Sequence, residues 1–155
     1  APWSIDWFIN TNTSNHQMGY AMDISLAKIT KSEVAEIAGH QVVQALEYSF
    51  YTMPTPIHEL SRAAATYTRP FSPTNKTLWK TATMTPTFAA CEPALAMQRY
   101  CTAYGLTPLA SEWWHFNDLR ALDTAGGNLS GGKFYIEECC SMTAAEAQKI
   151  LEQVA

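Results

Sequence analysis

Two short segments of the sequence hold residues whose types and spacing could form a catalytic metal site. In the first segment, His16 and Asp23 lie seven residues apart. The second segment, residues 111–116 (SEWWHF), places Glu112 and His115 three positions apart among three aromatic side chains. Together the segments supply two imidazoles and two carboxylates, which are the groups from which catalytic zinc sites are built.

The four side chains can be assigned different roles. Catalytic zinc takes three protein ligands and keeps a fourth position for water. His16, Asp23 and His115 would provide two nitrogens and one oxygen, and zinc would bring the pKa of the bound water near neutrality, making it a nucleophile. Glu112 would then serve as the general base that takes the proton of this water and passes it to a leaving amine.

Each of these residues also has an ordinary structural interpretation. A single histidine in an apolar segment is commonly a hydrogen-bonded core residue, and Asp23 alone could be a structural acceptor. The pair Trp113 and Trp114 alone is typical of a hydrophobic core. A packed core without metal is therefore the alternative to the zinc site.

The first segment leads into a predicted strand. Residues 20–26 alternate, with Met22, Ile24 and Leu26 predicted on a buried face and Asp23 on a polar face that belongs to the site. Asp23 is unfavourable within a strand, which suggests that it has a partner there.

The second segment also favours a strand, in which Trp113 and Trp114 would point to opposite faces. Positions three apart face opposite ways on a regular strand, although Glu112 and His115 must act together. Glu112 is therefore expected either to precede the strand, on a turn, or to lie at a bulge.

The remaining pattern predicts short elements separated by irregular segments. A helix is predicted over residues 31–38, where Thr30 and Glu33 fit a capping box and Gly39 would end the helix. Further helices are predicted over residues 86–104 and from 143 onward, and strands over residues 41–51 (with helix as the alternative) and 134–136. Residues 53–56 contain two prolines and are predicted to be irregular. Residues 57–80 are predicted to be a loop with a helical turn near 59–66, and residues 126–132 a glycine-rich loop.

The composition limits the classes of protein to which the chain could belong. Its 155 residues, 47% of them apolar, are enough to bury a core and are predicted to form a single domain. The net charge of −4, without a basic run, argues against a nucleic-acid partner, and no apolar stretch is long enough for a membrane span. The low charge favours an extracytoplasmic location, and a segment could be missing upstream of Ala1.

The cysteine pattern does not indicate a structural zinc site, because paired C-x-x-C spacing is absent. The four cysteines are Cys91, Cys101, Cys139 and Cys140. Buried free thiols are the ordinary interpretation, and a bridge from one of the first two to the adjacent pair is the alternative. Residues 137–138, two glutamates beside that pair, are interpreted as solvated charges.

The two segments can be written as motifs, S-x-H-x-x-G-x-A-x-D over residues 14–23 and E-x-x-H over residues 112–115. These motifs resemble those of the LAS metallopeptidases, which include lysostaphin-type enzymes, D-Ala-D-Ala peptidases and the hedgehog signalling domain. The E-W-W-H-F form looks most like the D-alanyl-D-alanine dipeptidase branch, relatives of the vancomycin-resistance dipeptidases. The resemblance covers roughly residues 10–120 and is concentrated in the motifs.

This resemblance implies a fold and a reaction. The implied fold is α+β, with a small antiparallel sheet that carries the zinc site and helices that flank it. The implied zinc ligands are His16, Asp23 and His115, with Glu112 as general base. The implied activity is zinc-dependent hydrolysis of D-Ala-D-Ala-type peptide bonds in cell-wall precursors or peptidoglycan peptides.

The resemblance also implies residues that contact the peptide substrate. Ser14, within the first motif, would be one of them. The acid that the dipeptidases use for the free amino group of the substrate would fall at His58, and Glu59, one position away, could replace it. This departure affects the preference for a dipeptide over a longer substrate.

A second departure concerns an arginine that the branch places upstream of the first motif, where it stabilises the oxyanion. None of the 15 residues before His16 is an arginine, and Arg62, Arg69 and Arg120 do not match its position. The alternative function is therefore a non-catalytic, zinc-stabilised module that binds peptidoglycan or a protein.

Overall fold

Two separate antiparallel sheets and a few short helices form the part of the chain that the computed structural model describes, namely residues 3, 14–16, 18–37 and 39–124. The α+β class predicted from the sequence is confirmed. The strands are β1 (Ala21–Asp23), β2 (Ala27–Ile37), β3 (His40–Phe50), β4 (Thr107–Pro108) and β5 (His115–Asn117). The helices are α1 (Pro86–Ala89), α2 (Glu92–Ala103) and α3 (Leu119–Thr124), with 3-10 turns at Arg62–Ala64 and Leu78–Lys80.

The chain divides into two compact units. One contains the described residues up to Leu26 and from Tyr51 onward, and the other contains the hairpin of β2 and β3. The prediction of a single domain over residues 1–155 stays a prediction.

The three-stranded sheet of the first unit has the order β1-β5-β4, with both pairs antiparallel. Its register places Asp23 directly opposite His115. The strand predicted around residues 113–116 begins only at His115, so Glu112 precedes it, which is the first of the two expected arrangements.

The prediction of a helix over residues 31–38 is wrong, because residues 31–37 belong to β2. The Thr30 hydroxyl, expected to cap a helix, donates instead to the Glu47 carbonyl of β3. Gly39, expected to end the helix, has a φ of +78° and lies between the two strands, where an L side chain would be strained. The strand predicted over residues 41–51 is confirmed as β3.

The helix predicted over residues 86–104 is confirmed but divided into α1 and α2. The division falls before Pro93, which occupies the first turn of α2. Proline has no backbone N–H, so it cannot continue the helical hydrogen bonds of α1. At its other end, α2 stops in a Schellman arrangement around Gly105, whose φ is +86°. The Leu106 N–H donates to the Cys101 carbonyl and the Gly105 N–H to the Thr102 carbonyl.

The core of the first unit forms where the turn before β5 packs against the helices. Trp113 and Trp114 are 2% and 1% exposed, with their rings edge to face at 5.3 Å. They join Phe88 of α1 and Met97 of α2 in one hydrophobic cluster. The expectation that the two tryptophans alternate across a strand is wrong, because both lie in the turn.

The buried face predicted for the strand at residues 20–26 is only partly correct. Ile24 and Leu26 pack against the core cluster, but Met22 is 44% exposed. Strand β1 ends at Asp23 and lies at the edge of its sheet, so alternation does not extend over the whole segment.

The irregular segments agree with the predictions where the structure describes them. Residues 53–56 contain neither helix nor strand, and the 3-10 turn Arg62–Ala64 falls within the predicted turn near residues 59–66. Cys91 and Cys101 are both free thiols. The loop, strand and helix predicted beyond residue 125, together with Cys139 and Cys140, lie outside the described residues. Among the described helices, none is long and apolar enough to cross a membrane.

The Trp113 side chain should contribute measurably to stability, because it fills the core and its indole N–H donates to the Thr55 hydroxyl at 3.0 Å. We expect Trp113→Phe to lower the free energy of unfolding by about 2 kcal/mol, through the lost hydrogen bond and the space left behind. The control is Tyr104→Phe, at a side chain that is 81% exposed. Urea unfolding followed by circular dichroism gives both values, and equal stability of the two variants would contradict the assignment of Trp113 to the core.

Candidate metal centre

Three potential ligand atoms meet at one point of the first unit. The His16 Nε2 atom lies 3.1 Å from His115 Nδ1 and 3.2 Å from Asp23 Oδ1. The third distance, from His115 Nδ1 to Asp23 Oδ1, is 3.3 Å. The three atoms therefore form a nearly equilateral triangle, and the predicted ligand residues are brought together.

The size of this triangle fits a metal ion. A tetrahedral ion with bonds of about 2.0–2.1 Å separates its ligand atoms by about 3.3–3.4 Å, close to the observed edges. The Asp23 Oδ1 atom is buried and makes no hydrogen bond, although two histidine nitrogens lie within 3.3 Å of it. Lone pairs directed at a common point explain this arrangement, so the three residues could hold a metal ion.

Strand pairing and a turn position the three ligands. Asp23 and His115 are register partners on β1 and β5. His16 reaches the same point from the turn before β1, in which the Gly19 N–H donates to the His16 carbonyl and the Tyr20 N–H to the Asn15 carbonyl. Gly19 has a φ of +76°, a conformation that L side chains rarely adopt, and this allows the chain to reverse between the two ligands.

Asn117 determines which nitrogen of His115 faces the other ligands. Its side-chain oxygen lies 3.1 Å from His115 Nε2 and accepts a hydrogen bond of 2.7 Å from the Asn15 amide. Because an amide oxygen only accepts, we assign the proton of His115 to Nε2, which leaves the lone pair of Nδ1 for a metal. Metal-binding histidines are commonly oriented in this way by a partner on the second nitrogen.

Glu112 lies beside this triangle, with its Oε2 atom 3.6 Å from His115 Nδ1. Burial raises the pKa of the Glu112 carboxyl above its usual value and outweighs the opposing charge of His115. A carboxylate of raised pKa is a stronger base than an ordinary glutamate. The structure thus places a proton acceptor next to the point where the ligand atoms converge.

The two coupled ligands Asp23 and His115 have pKa values shifted in opposite directions. Burial raises the pKa of Asp23, but hydrogen bonds and charge from the histidines outweigh it, so the pKa lies below the usual value. Burial lowers the pKa of His115, but its contacts with Asp23 and Asn117 and the charge of the nearby carboxylates raise it overall. The opposite shifts reflect the mutual attraction of the Asp23 carboxylate and the His115 imidazole.

The predicted substrate-contacting residues lie at different distances from the triangle. His58 is adjacent to it, with Nε2 3.0 Å from Asp23 Oδ2 and its ring edge to face with Trp114 at 5.9 Å. Its φ of +65° is the strained left-handed conformation that often marks functional positions. Ser14 opens the turn that carries His16, where its carbonyl accepts from the Met18 N–H. Glu59 accepts a hydrogen bond from the Ser61 hydroxyl.

Sequence reasoning missed Asn15 and Asn117, although each is close in sequence to a predicted ligand. Asn117 is completely buried. The available signal was a polar side chain two positions after His115, because residues two positions apart lie on the same face of a strand.

Buried polar atoms without hydrogen bonds are concentrated at this site. Of the six such atoms among the described residues, two are at this site, Asp23 Oδ1 and Asn117 Nδ2, and a third, Trp114 Nε1, lies beside the Glu112 carboxylate. Unsatisfied buried polar groups are rare in native proteins and often mark the position of an ion, a water or a ligand. Their clustering supports a bound group at this location.

Comparison with known proteins adds no family assignment: neither a protein-family model, nor a curated protein, nor a solved structure matches the chain. The arguments for the site therefore come from its own geometry.

We expect Asn117→Leu to weaken metal binding by about 10- to 100-fold, because His115 loses the acceptor that fixes its tautomer. Asn117→Asp, which keeps an acceptor at the same position, is the matched control and should retain most of the affinity. Competition with a chromophoric chelator measures the dissociation constant of each variant. Equal affinity in the wild type and the leucine variant would show that Asn117 does not orient the ligand.

Proposed function

We propose that this chain is a zinc-dependent peptidase of the LAS type that hydrolyses D-Ala-D-Ala-type peptide bonds in cell-wall precursors or peptidoglycan peptides. The observation that carries the proposal is the triangle of His16, Asp23 and His115 with the carboxylate of Glu112 beside it. Asp23 and His115, which the two motifs had singled out and which lie 92 positions apart in the sequence, are neighbours in space.

The donor set supports zinc as the metal. Two imidazole nitrogens and one carboxylate oxygen form a ligand set typical of catalytic zinc, which leaves one position open. The edges of the triangle, 3.1–3.3 Å, are close to those of a tetrahedral site. When bound, a zinc ion would supply Lewis-acid activation of the attacking water.

Glu112 would carry the proton transfers of the reaction. Its carboxylate would accept the proton of the attacking water and then deliver it to the nitrogen of the leaving amine. Its burial and raised pKa suit a group that must both take and return a proton. Asn117 would hold His115 in the required orientation throughout.

The substrate class rests on the resemblance of residues 14–23 and 112–115 to the D-alanyl-D-alanine dipeptidase motifs. Ser14, His58 and Glu59 are proposed to contact the peptide. An exposed imidazole at position 58, where the branch has an acid, does not favour strict selection of a free amino group. We therefore propose that the enzyme accepts peptides longer than a dipeptide, acting as a carboxypeptidase as well as a dipeptidase.

One observation favours the alternative, a non-catalytic zinc-stabilised module that binds peptidoglycan or a protein. The charges with the largest effect on the pKa values of Asp23 and Glu112 are those of the site histidines and, for Glu112, that of Asp23. Arg120, one of the arginines considered for the oxyanion, binds instead to Asp118 and to the Tyr104 carbonyl. Without an oxyanion-stabilising group, hydrolysis would be slow.

Glu112→Gln tests the role of the general base. The amide cannot accept the proton but preserves the shape of the side chain, so we expect unchanged zinc content and a fall in turnover of about 10²- to 10⁴-fold. Release of D-Ala from a D-Ala-D-Ala peptide measures turnover, and elemental analysis measures zinc. Glu92→Gln, the same change at an exposed carboxylate that pairs with Arg99, is the control and should be fully active. Turnover at the wild-type level in Glu112→Gln would rule out the proposed role.

Removal of the metal distinguishes the enzyme from the binding module. We expect the chain to bind one zinc ion. Chelation should abolish hydrolysis of D-Ala-D-Ala and of an N-capped D-Ala-D-Ala peptide, and added zinc should restore it. Stoichiometric zinc with no turnover of either substrate would favour the module. A chain that binds no zinc at neutral pH would refute both the zinc peptidase and the zinc-stabilised module.

A further inference from the structure

A cavity of about 520 Å³ lies in the first unit, and none of the residues discussed for the candidate metal centre lines it. It is lined by residues of α2, α3 and the 3-10 turn Leu78–Lys80 and their flanking segments: Lys76, Trp79, Lys80, Arg99, Thr102, Ala103, Gly105, Leu106, Thr107, Leu119, Arg120 and Asp123. Its volume is within the range of natural small-molecule sites.

The charge of this cavity is opposite to that of the protein. Its lining contains four cations, Lys76, Lys80, Arg99 and Arg120, and one carboxylate, Asp123. The chain as a whole has a net charge of −4 and only ten lysines and arginines. Concentration of four of the ten in one concave surface creates a local positive potential that attracts anions.

Two of these cations are held in place by the fold. The Arg120 guanidinium donates to Asp118 Oδ1 at 3.4 Å and to the Tyr104 carbonyl at 3.1 Å. A Cβ at Gly105 would lie 3.0 Å from the Arg120 Cζ atom, so the glycine allows the guanidinium to approach the backbone. Lys76 forms an ion pair with Asp123 on α3.

An anionic ligand could displace the carboxylates that pair with these cations. Asp123, Glu92 and Asp118 pair with Lys76, Arg99 and Arg120, respectively. Most of these side chains are exposed, and exposed ion pairs are weak, so a polyvalent anion can replace the carboxylates. Lys80 is the fourth cation, and its ammonium group lies 5.7 Å from the centre of the Trp79 ring.

Trp79 gives the cavity an aromatic wall. Its indole N–H donates to the Lys76 carbonyl at 3.0 Å, which fixes the plane of the ring beside the cations. An indole face is a stacking surface for a planar ring or the apolar face of a sugar. The site thus combines positive charge with a flat apolar surface.

We propose that this cavity binds a small phosphate ester that carries a ring, with the phosphoryl group held by Lys80 and Arg99 and the ring placed against Trp79. Guanidinium groups match the geometry of phosphate oxygens, and lysine contributes a point charge. The ring belongs to a nucleoside or a sugar. This site is independent of the metal centre and of the proposed hydrolysis.

Isothermal titration calorimetry of the whole chain at about 150 mM salt, where long-range attraction between exposed charges is screened, tests the proposal. The probes are adenosine 5′-monophosphate, glucose 6-phosphate and inorganic pyrophosphate. We expect a dissociation constant below roughly 1 mM for at least one ring phosphate. Which of the two binds identifies the ring as a nucleoside or a sugar.

Two variants separate specific binding from general attraction. The double variant Lys80→Gln/Arg99→Gln should weaken binding at least about tenfold, because two charge-assisted contacts are lost. The matched control, Lys28→Gln/Lys31→Gln on β2, removes the same charge, including a lysine paired with Glu47, and should bind as the wild type does. Binding of neither ring phosphate below about 10 mM, or an equal loss in the control, would overturn the proposal.

Trp79→Leu tests the aromatic wall. We expect this variant to lower the affinity for the ring phosphate severalfold and to leave the affinity for pyrophosphate unchanged, since only the ring contacts the indole. Lys80→Glu is an additional variant that leaves Trp79 in place. Because it reverses a charge, it should abolish binding of the ring phosphate and of pyrophosphate alike. Ring phosphates that bind no better than pyrophosphate, with no effect of Trp79→Leu, would show that the cavity does not recognise a ring.

Discussion

The pairing of β1 with β5 is the interaction on which the candidate site depends. It places Asp23 opposite His115 and fixes the distance between their ligand atoms at 3.3 Å. Each strand has only three residues, too few to be stable alone, so the pairing depends on the core behind it. Trp113 and Trp114 provide that core in the turn immediately before β5. A single short segment therefore supplies both the packing that holds the sheet and one of the ligands.

The polar groups of the site are arranged so that His16, Asp23 and His115 could hold a metal ion. Buried carboxylates and histidines are costly to desolvate and are usually satisfied by hydrogen bonds. Here Asp23 Oδ1 makes no hydrogen bond, whereas Asn117 satisfies the outer nitrogen of His115. The amides of Asn15 and Asn117 form a second layer behind the ligand atoms, because Asn15 donates to the Asn117 oxygen that faces His115.

Local signals and tertiary contacts disagreed most clearly in the hairpin of β2 and β3. The pattern of Thr30 and Glu33 matches a helix cap, yet residue 30 lies in β2 and its hydroxyl donates to the Glu47 carbonyl of β3. A capping box satisfies two backbone groups, whereas an eleven-residue antiparallel partner satisfies a whole ladder, so strand pairing overrides the cap. The division between α1 and α2 at Pro93 and the stop at Gly105 follow local rules, because both depend on backbone geometry within the segment itself.

The sequence alone determined the α+β class and the set of residues that could bind a metal, because ligand types and motif spacing are written in the chain. Only the tertiary structure decided that His16, Asp23 and His115 meet at one point, because their proximity depends on a strand register between distant segments. It also decided that Glu112 precedes β5, that Met22 faces outward and that Asn117 orients His115. The concentration of cations around Trp79 is likewise invisible in a sequence with a net negative charge, since a cavity is formed by packing.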